Sequence, residues 1–138
     1  MRQVIGRLQI EAERQGLEDI TGPVKDWVRS QGLTEGLLTL FCRHTSASLL
    51  IQENAAPAAR KDLEAYFVRL APEDDVYSHA DEGPDDMPAH LRAALTQTQL
   101  SVPLTGGHLA LGRWQGLYLF EHRRRPQPRS LVLHLLGD

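Results

Sequence analysis

Two apolar segments separated by a polar break constrain the fold of this chain more than any other feature. Leu37–Cys42 is apolar except for one threonine, and a second apolar run begins at Ala47. Runs of this kind are typical of strands buried on both faces. His44, Thr45 and Ser46 separate the two runs, and with Ser48 they make His44–Ser48 mostly polar. Polar side chains inside a buried run are costly unless they hydrogen-bond or face a cavity. The break therefore marks either a bend between two strands, with hydroxyls bonding to local backbone, or the edge of a site.

The rest of the pattern predicts an α+β fold with most of its sheet in the C-terminal half. Alternation and apolar runs predict strands at 3–10, 100–104, 116–122 and 130–136, and Gly106-Gly107 predicts a hairpin turn. Helices are predicted from Thr21 to Gly32, from Asn54 to Leu70 and from Met87 to Leu95, with Thr21 and Asn54 as N-caps. The acidic segment 71–88 is expected to have no regular structure. No linker divides the chain, so residues 1–138 are expected to form one domain.

Composition limits the partners and the compartment. A net charge of −3, with no interleaved array of aromatic residues, gives no reason to expect a nucleic-acid partner. No apolar run approaches the length of about 18 residues that a membrane span requires, and the first residues open no apolar signal segment. The single cysteine, Cys42, has no intramolecular disulfide partner, so a reducing compartment, the cytoplasm, is expected.

The acidic segment contains one of the candidate sites. His79 and His90 flank the paired carboxylates Asp85 and Asp86, and imidazole with carboxylate is a ligand set for Zn²⁺, Mn²⁺ or Fe²⁺, whereas carboxylates alone suit Mg²⁺. The spacing matches no zinc-finger pattern. Asp86 also fits the N-cap of the helix that runs through His90, and the cap and ligand roles compete for the same oxygens. The chain has six histidines in all: His44, His79, His90, His108, His122 and His134.

A third group of polar residues lies near the C-terminal strands. Glu121 shares a strand face with Leu117 and Leu119, and a carboxylate at the end of an apolar face needs a partner, of which arginine is the natural one. Arg123 and Arg129 are candidates to hold a phosphate or carboxylate through bidentate hydrogen bonds. The alternative is a solvated hairpin tip, which is expected for the two arginines that follow Arg123.

Taken together, these clusters resemble the YjbQ-like family of small bacterial and archaeal proteins, also labelled secondary thiamine-phosphate synthases. The motifs occur in the family's order, and the likeness covers essentially the whole chain. One position departs from the family pattern: Arg113 stands where the family usually has threonine, which removes a hydroxyl and adds a cation. The matching segments are His44–Leu49, Glu53-Asn54, Glu82–His90, Leu111–Gly116 and Glu121–Arg123.

The resemblance implies a mixed or antiparallel α+β sandwich with two to three helices. It also implies assembly as a homotrimer with sites near the subunit boundaries. The activity it implies is that of a thiamine-phosphate synthase, which joins a pyrimidine diphosphate to a thiazole phosphate and releases pyrophosphate.

The leading hypothesis is an enzyme that binds a small phosphorylated molecule together with a divalent metal ion, Mg²⁺ or Zn²⁺. In the transferase reaction, the metal ion and a cationic side chain would together stabilise the departing pyrophosphate. The expected catalytic residues are His44, Ser46, Asp86 and His90. The expected metal ligands are His44, His79, Asp85 and His90. The expected substrate- or anion-binding residues are Thr45, Asn54, Trp114, Gln115, Arg123 and Arg129.

Two other hypotheses remain open at this point. A non-catalytic protein would use the same pocket to hold a metal ion or a metabolite. Alternatively, the clusters are structural polar networks that fix strand ends and subunit contacts. His108 and His134 lie within strand runs and are expected to be structural, and Cys42 is expected to be a small buried apolar residue.

Overall fold

The strands and helices follow the apolar pattern of the sequence closely. The computed structural model describes all 138 residues. Its helices are α1 (Thr21–Ser30), α2 (Pro57–Leu70) and α3 (Asp86–Leu95), and none of the three has the length and apolarity needed to cross a bilayer. Residues 71–85 contain no helix or strand, as predicted, whereas the last three residues of the predicted irregular segment, 86–88, belong to α3. The strands are β1 (Arg2–Ile10), β2 (Gly16–Asp19), β3 (Gly36–Cys42), β4 (Ala47–Glu53), β5 (Gln99–Thr105), β6 (His108–Leu109), β7 (Gln115–Glu121) and β8 (Arg129–Gly137).

Two antiparallel sheets enclose one apolar core, so the predicted α+β fold with antiparallel strands and three helices is confirmed. The first sheet has the order β1-β8-β3-β5-β6 and the second the order β2-β7-β4. Helix α1 contributes Val24 and Val28 to the same core. Leucines from the central strands fill the space between the sheets: Leu38, Leu40, Leu117, Leu119, Leu131, Leu133 and Leu135.

Strand β7 has the two faces that the alternation predicts. Leu117 and Leu119 point into the core, opposite apolar residues of β4. Tyr118 and Phe120 lie on the other face, where the ring of Phe120 meets the edge of Phe67 from α2 at a centroid distance of 5.3 Å. Helices therefore cover the outer side of the second sheet, and the polar groups at the end of this sheet lie between strand and helix.

The two predicted helix caps at Thr21 and Asn54 are wrong. Helix α1 begins at Thr21 itself, whose hydroxyl oxygen accepts a backbone N–H of β7 at 2.9 Å. Helix α2 begins at Pro57, and the Asn54 amide donates to the carbonyl oxygens of Arg113 and Gln115 at 3.0 and 3.3 Å. Thr21 ties α1 to β7, and Asn54 ties the loop before α2 to the start of β7. Local sequence does not indicate such interactions between distant parts of the chain.

The outer face of the first sheet is exposed in the single chain. The prediction that Leu37–Cys42 is buried on both faces is wrong here, because only its even-numbered residues are buried. Leu37 and Phe41 are 44% and 47% exposed, and Ile5 and Leu136 on the same face are 67% and 41% exposed. These four residues form the outer apolar face.

Candidate functional site

Three segments of the chain meet at one end of the second sheet. They are the connection 43–46 between β3 and β4, the region around the start of α3, and residues 122–125 after β7. The sheet register brings the first and third together, because Ala47 at the start of β4 lies opposite Glu121 at the end of β7. Helix α3 packs against β4 with the small residues Ala89 and Ala93 buried, which places the start of the helix at the same end.

Asp86 is the centre of this arrangement. It is the first residue of α3 and is 4% exposed. Its Oδ2 lies 2.7 Å from Nε2 of His79 and 3.2 Å from Nε2 of His90, which is one helical turn away. Asp85 occupies the N-cap position and no side chain caps the helix, so the alternative prediction of Asp86 as an N-cap is wrong.

The pKa of Asp86 lies below its ordinary value. Burial alone would raise that pKa, but the hydrogen bond from His79 and the charges of His90 and Arg123 outweigh the effect of burial. The carboxylate is therefore ionised throughout the neutral range. It offers one oxygen to both imidazoles and keeps the other for Arg123, whose Nη1 donates to Oδ1 at 2.8 Å.

The backbone fixes the orientation of the His90 ring. Nδ1 of His90 lies 3.0 Å from the carbonyl oxygen of Thr45, and a carbonyl oxygen only accepts, so Nδ1 carries the hydrogen. In the neutral ring, the lone pair on Nε2 then faces the carboxylate oxygen of Asp86. A proton or a metal ion between the two atoms would turn this repulsive contact into an attractive one. Metal-binding histidines commonly donate their second ring N–H to a carbonyl oxygen in the same way.

His79 comes from the segment without regular structure and is the most exposed member of the group, at 40% of its side chain. Nε2 of His79 also lies 3.0 Å from Glu82, and Nδ1 lies 3.4 Å from Asp81. The hydrogen bond to Asp86, helped by the neighbouring carboxylates, raises the pKa of His79 above its ordinary value. The ligand atoms of His79, Asp86 and His90 lie within 4.8 Å of one another.

Arg123 contacts the carboxylates rather than an open pocket. Its Nε donates to Asp85 at 2.9 Å, its Nη1 to Asp86, and its Nη2 to the carbonyl oxygen of Glu82 at 3.0 Å. Asp85 also accepts the backbone N–H of Arg124 at 2.9 Å. Asp85 is therefore engaged away from the histidines, and the structure does not support its expected role as a metal ligand. Arg123 instead holds Asp86 in the orientation that presents Oδ2 to both rings.

Arg129 forms the ion pair that the sequence predicts for Glu121. Its Nε donates to Glu121 at 2.8 Å, and its Nη2 reaches the carbonyl oxygen of Ser46 at 3.2 Å. Arg129 and Glu121 are 2% and 0% exposed. The expected role of Arg129 in binding an external anion is not supported, because its guanidinium is buried against a carboxylate that belongs to the fold.

A buried hydroxyl–imidazole chain lies behind the site and includes residues that sequence reasoning missed. Thr96 donates to Ser48 at 2.5 Å, and Ser48 lies 2.8 Å from Nε2 of His122. Burial, with the charges of Arg92 and Arg129, lowers the pKa of His122 to about 3, so the ring is neutral. Ser48 and His122 lie within motifs that resemble the family's, but Thr96 lies outside them, and only the tertiary structure brings it to Ser48.

Other expected site residues lie apart from the histidine–carboxylate group. Nε2 of His44 accepts the backbone N–H of Ser130 at 2.8 Å, and burial followed by the charge of Arg129 lowers the pKa of His44. His44 is therefore engaged with β8, and the structure does not support its expected role as a ligand of the same ion. Three further residues lie at the opposite end of the second sheet, beside the start of β7: Asn54, Trp114 and Gln115.

Comparison with known proteins identifies the family. A family model described as "UPF0047 protein YjbQ-like" matches residues 6–138. The chain belongs to the YjbQ-like UPF0047 family. It is similar to a UPF0047 protein of Synechocystis sp., with 46% identity over 95% of this chain and 90% of that protein. It is also similar to the UPF0047 protein YjbQ of Salmonella typhimurium, with 37% identity over 95% of this chain and 96% of that protein.

Solved structures of similar proteins have the same fold. A YbjQ-like protein of Sulfolobus solfataricus superposes with a TM-score of 0.90, covering 99% of each chain at 23% identity. A conserved hypothetical protein of Thermus thermophilus superposes with a TM-score of 0.84, at 33% identity over 95% of this chain and 99% of that one. These likenesses confirm the sandwich fold that the sequence resemblance implies.

The donor set of this YjbQ-like chain is chemically suited to a transition metal. Two imidazole nitrogens and one carboxylate oxygen favour Zn²⁺ or Fe²⁺ over Mg²⁺, which prefers an all-oxygen shell. The fixed tautomer of His90 and the carboxylate orientation imposed by Arg123 are the supporting interactions that such sites use. The residues present therefore fit a divalent ion with three protein ligands: His79, Asp86 and His90.

Proposed function

We propose that this YjbQ-like chain is a metal-dependent enzyme that acts on a small phosphorylated molecule. His79, Asp86 and His90 would hold the ion, and Zn²⁺ is the first candidate. The observation that carries the proposal is the convergence of Nε2 of His79, Nε2 of His90 and Oδ2 of Asp86, with Nδ1 of His90 already committed to a carbonyl oxygen. Three protein ligands with an open position are typical of catalytic rather than structural zinc sites.

The chain's own residues would prepare the site before an ion or substrate arrives. Asp86 is buried, ionised and fixed by Arg123, so it contributes a charged oxygen without reorganisation. When bound, the ion would supply Lewis-acid stabilisation of negative charge that develops on phosphoryl oxygens. Thr45 and Ser46 use their backbone carbonyl groups within the fold, which leaves their hydroxyl groups for hydrogen bonds to a ligand.

The first reaction to test is the one that the family resemblance implies. Joining a pyrimidine diphosphate to a thiazole phosphate releases pyrophosphate, a leaving group whose negative charge a cationic site would stabilise. We place the activity in the cytoplasm, because the one cysteine, Cys42, is a buried free thiol.

The test compares the wild type with His79→Ala, Asp86→Asn, His90→Ala and a matched control, His108→Ala, which removes an exposed histidine far from the site. Metal content is measured by mass spectrometry, and turnover is measured with the two thiamine precursors. We expect stoichiometric metal and turnover in the wild type and the control, and loss of both in the three site variants.

Other outcomes would contradict the proposal that the chain is an enzyme. Metal-loaded protein that binds either precursor but converts neither would favour the non-catalytic binding protein. Site variants that melt at lower temperature while keeping their metal content would favour a structural polar network. The control separates these results from a general effect of removing a histidine.

The outer apolar face supports the further proposal that the chain assembles as a homotrimer. Leu37 lies opposite Leu136 in the register of the first sheet, and Ile5 and Phe41 are exposed on the same face, with Thr39 and His134 between them and the leucine pair. Apolar patches exposed on one face mark protein-interaction sites. A sedimentation mass near that of one chain, 15.5 kDa, would contradict the proposal. Phe41→Lys should shift the assembly toward the single chain, because it places a charge within the patch.

A further inference from the structure

A cleft on the other side of α3 contains a buried cation that the proposed function does not use. The cleft runs beneath the C-terminal half of α2 and has two parts that share Gln15, Val68 and Arg92 as walls. The inner part has a volume of about 200 Å³ and is lined also by the rings of Phe67 and Phe120. The outer part has a volume of about 490 Å³ and opens toward polar residues of the segment after α2.

Arg92 is the unusual residue of this cleft. It projects from α3, is 4% exposed, and makes one hydrogen bond, from Nη2 to the carbonyl oxygen of Ala71 at 2.7 Å. A guanidinium carries five N–H donors, so most of its hydrogen-bonding capacity is unused. Its Nε is fully buried and has no partner.

Arg92 also has no carboxylate partner, unlike the other cations of the cleft. Arg14 pairs with Glu64, and Arg124 pairs with Glu73, while none of the protein's ion pairs includes Arg92. Burial of an unpaired charge is costly, because the group gives up hydration without gaining an opposite charge. Burial accordingly lowers the pKa of Arg92 below its ordinary value.

We propose that this cleft binds a small organic carboxylate, whose anionic end pairs with Arg92 and whose apolar body packs against Phe67, Val68 and Phe120. A monoanion fits better than a phosphate, since Glu64, Glu73 and Asp74 also line the cleft and would repel a second negative charge. A guanidinium beside aromatic rings is suited to a planar carboxylate, which it can hold through two parallel hydrogen bonds. This site is separate from the histidine–carboxylate group and does not depend on the proposed metal.

The first experiment uses the wild-type protein and two probes of the same shape, benzoate and its neutral amide, benzamide. Binding is measured by calorimetry, and the location by changes in backbone amide NMR shifts. We expect benzoate to bind with shift changes at Gln15, Val68 and Phe120, and benzamide to bind at least about tenfold more weakly. Equal binding of the two probes, or shift changes confined to other regions, would overturn the proposal. Inorganic phosphate that binds as tightly as benzoate and shifts the same three residues would also overturn it.

The second experiment tests whether Arg92 is the cation that binds the carboxylate. Arg92→Met keeps the length of the side chain and removes its charge, and Arg29→Met removes the same charge from an exposed site on α1. We expect benzoate binding to be lost in Arg92→Met and retained in Arg29→Met and in the His79→Ala, Asp86→Asn double variant. Retained binding in Arg92→Met would contradict the proposal. Should Arg92→Met not fold, the comparison of benzoate with benzamide still decides the question.

Discussion

The Nδ1–H of His90 donates to the carbonyl oxygen of Thr45 at 3.0 Å, which ties α3 to the connection between β3 and β4. This hydrogen bond fixes both the tautomer and the angle of the ring. The opposite nitrogen therefore points at Asp86 before any ligand binds. Pre-orientation of this kind lowers the reorganisation that binding requires, and it turns a pair of side chains one helical turn apart into part of a defined site.

The first prediction concerns the pH dependence of metal binding. His79 has a raised pKa, so part of the metal-free protein carries a proton where an ion would bind. Binding of Zn²⁺ must displace that proton, because the ligand form of histidine is neutral. We expect affinity to fall as the pH is lowered from about 8 to about 6. Calorimetry in buffers of different ionisation enthalpy should detect the released proton, and an affinity independent of pH would contradict the model of the site.

The second prediction concerns Arg123, which orients Asp86 without being a ligand itself. Arg123→Met should weaken metal binding by about 10- to 100-fold, the usual cost of losing such a supporting interaction. Arg124→Met is the matched control, because Arg124 is exposed and its side chain pairs with Glu73. Competition with a chromophoric chelator measures both affinities. Equal loss in the two variants would show that general charge, and not orientation, is responsible.

The third prediction concerns the buried pair of Glu121 and Arg129. Arg129→Met leaves a buried carboxylate without its partner and should lower the free energy of unfolding by about 3–5 kcal/mol. The double variant Glu121→Leu, Arg129→Met removes both charges and should recover part of that loss, but not all of it, because the backbone N–H groups of Arg123 and Gln127 lose their acceptor. Denaturant unfolding of the two variants tests this, and a double variant no more stable than Arg129→Met alone would contradict it.

The fourth prediction concerns His122. Its folded pKa of about 3 lies below the ordinary value of 6.5, so the unfolded chain takes up a proton first as the pH falls. The stability that the neutral ring contributes is complete above pH 6.5 and is lost at about 1.4 kcal/mol per pH unit below it. His122→Gln has no titrating ring and should show a flatter dependence of unfolding free energy between about pH 6.5 and 4.

The difference between the pH profiles of unfolding free energy for the wild type and for His122→Gln isolates the contribution of His122. Asp85 and Asp86, whose pKa values are lowered, lose their stabilising contribution only at more acidic pH, and His79 contributes in the opposite direction. All three groups are present in both proteins, so their effects cancel in the difference. Parallel profiles for wild type and His122→Gln would show that the ring is not the source of acid sensitivity.

The sequence alone predicts those features that follow from the local spacing of apolar and polar residues. The two faces of β7 follow from alternation, and the arginine partner of Glu121 follows from the cost of an unpaired carboxylate in an apolar face. The spacing of Asp86 and His90 also indicates that the two side chains share one side of a helix.

The rest of the site depends on contacts between distant segments. His79 lies in a segment with neither helical nor strand periodicity, so the sequence does not indicate the direction of its side chain. The carbonyl oxygen of Thr45 contributes through the backbone, which the residue type does not reveal. His44 has the same chemistry as His90, but the backbone of Ser130 takes its ring nitrogen. Local patterns identify candidate residues, and the tertiary structure selects among them.

The location of His79 has a consequence for how long an ion would stay. Asp86 and His90 lie on α3 and are oriented by Arg123 and by the carbonyl oxygen of Thr45, whereas His79 belongs to a stretch that contains no helix or strand. Such stretches open locally at far lower free-energy cost than the packed core. Exchange of the ion would thus begin with departure of His79, while the other two ligands remain in register. The loop that carries His79 would therefore determine how long the ion stays bound.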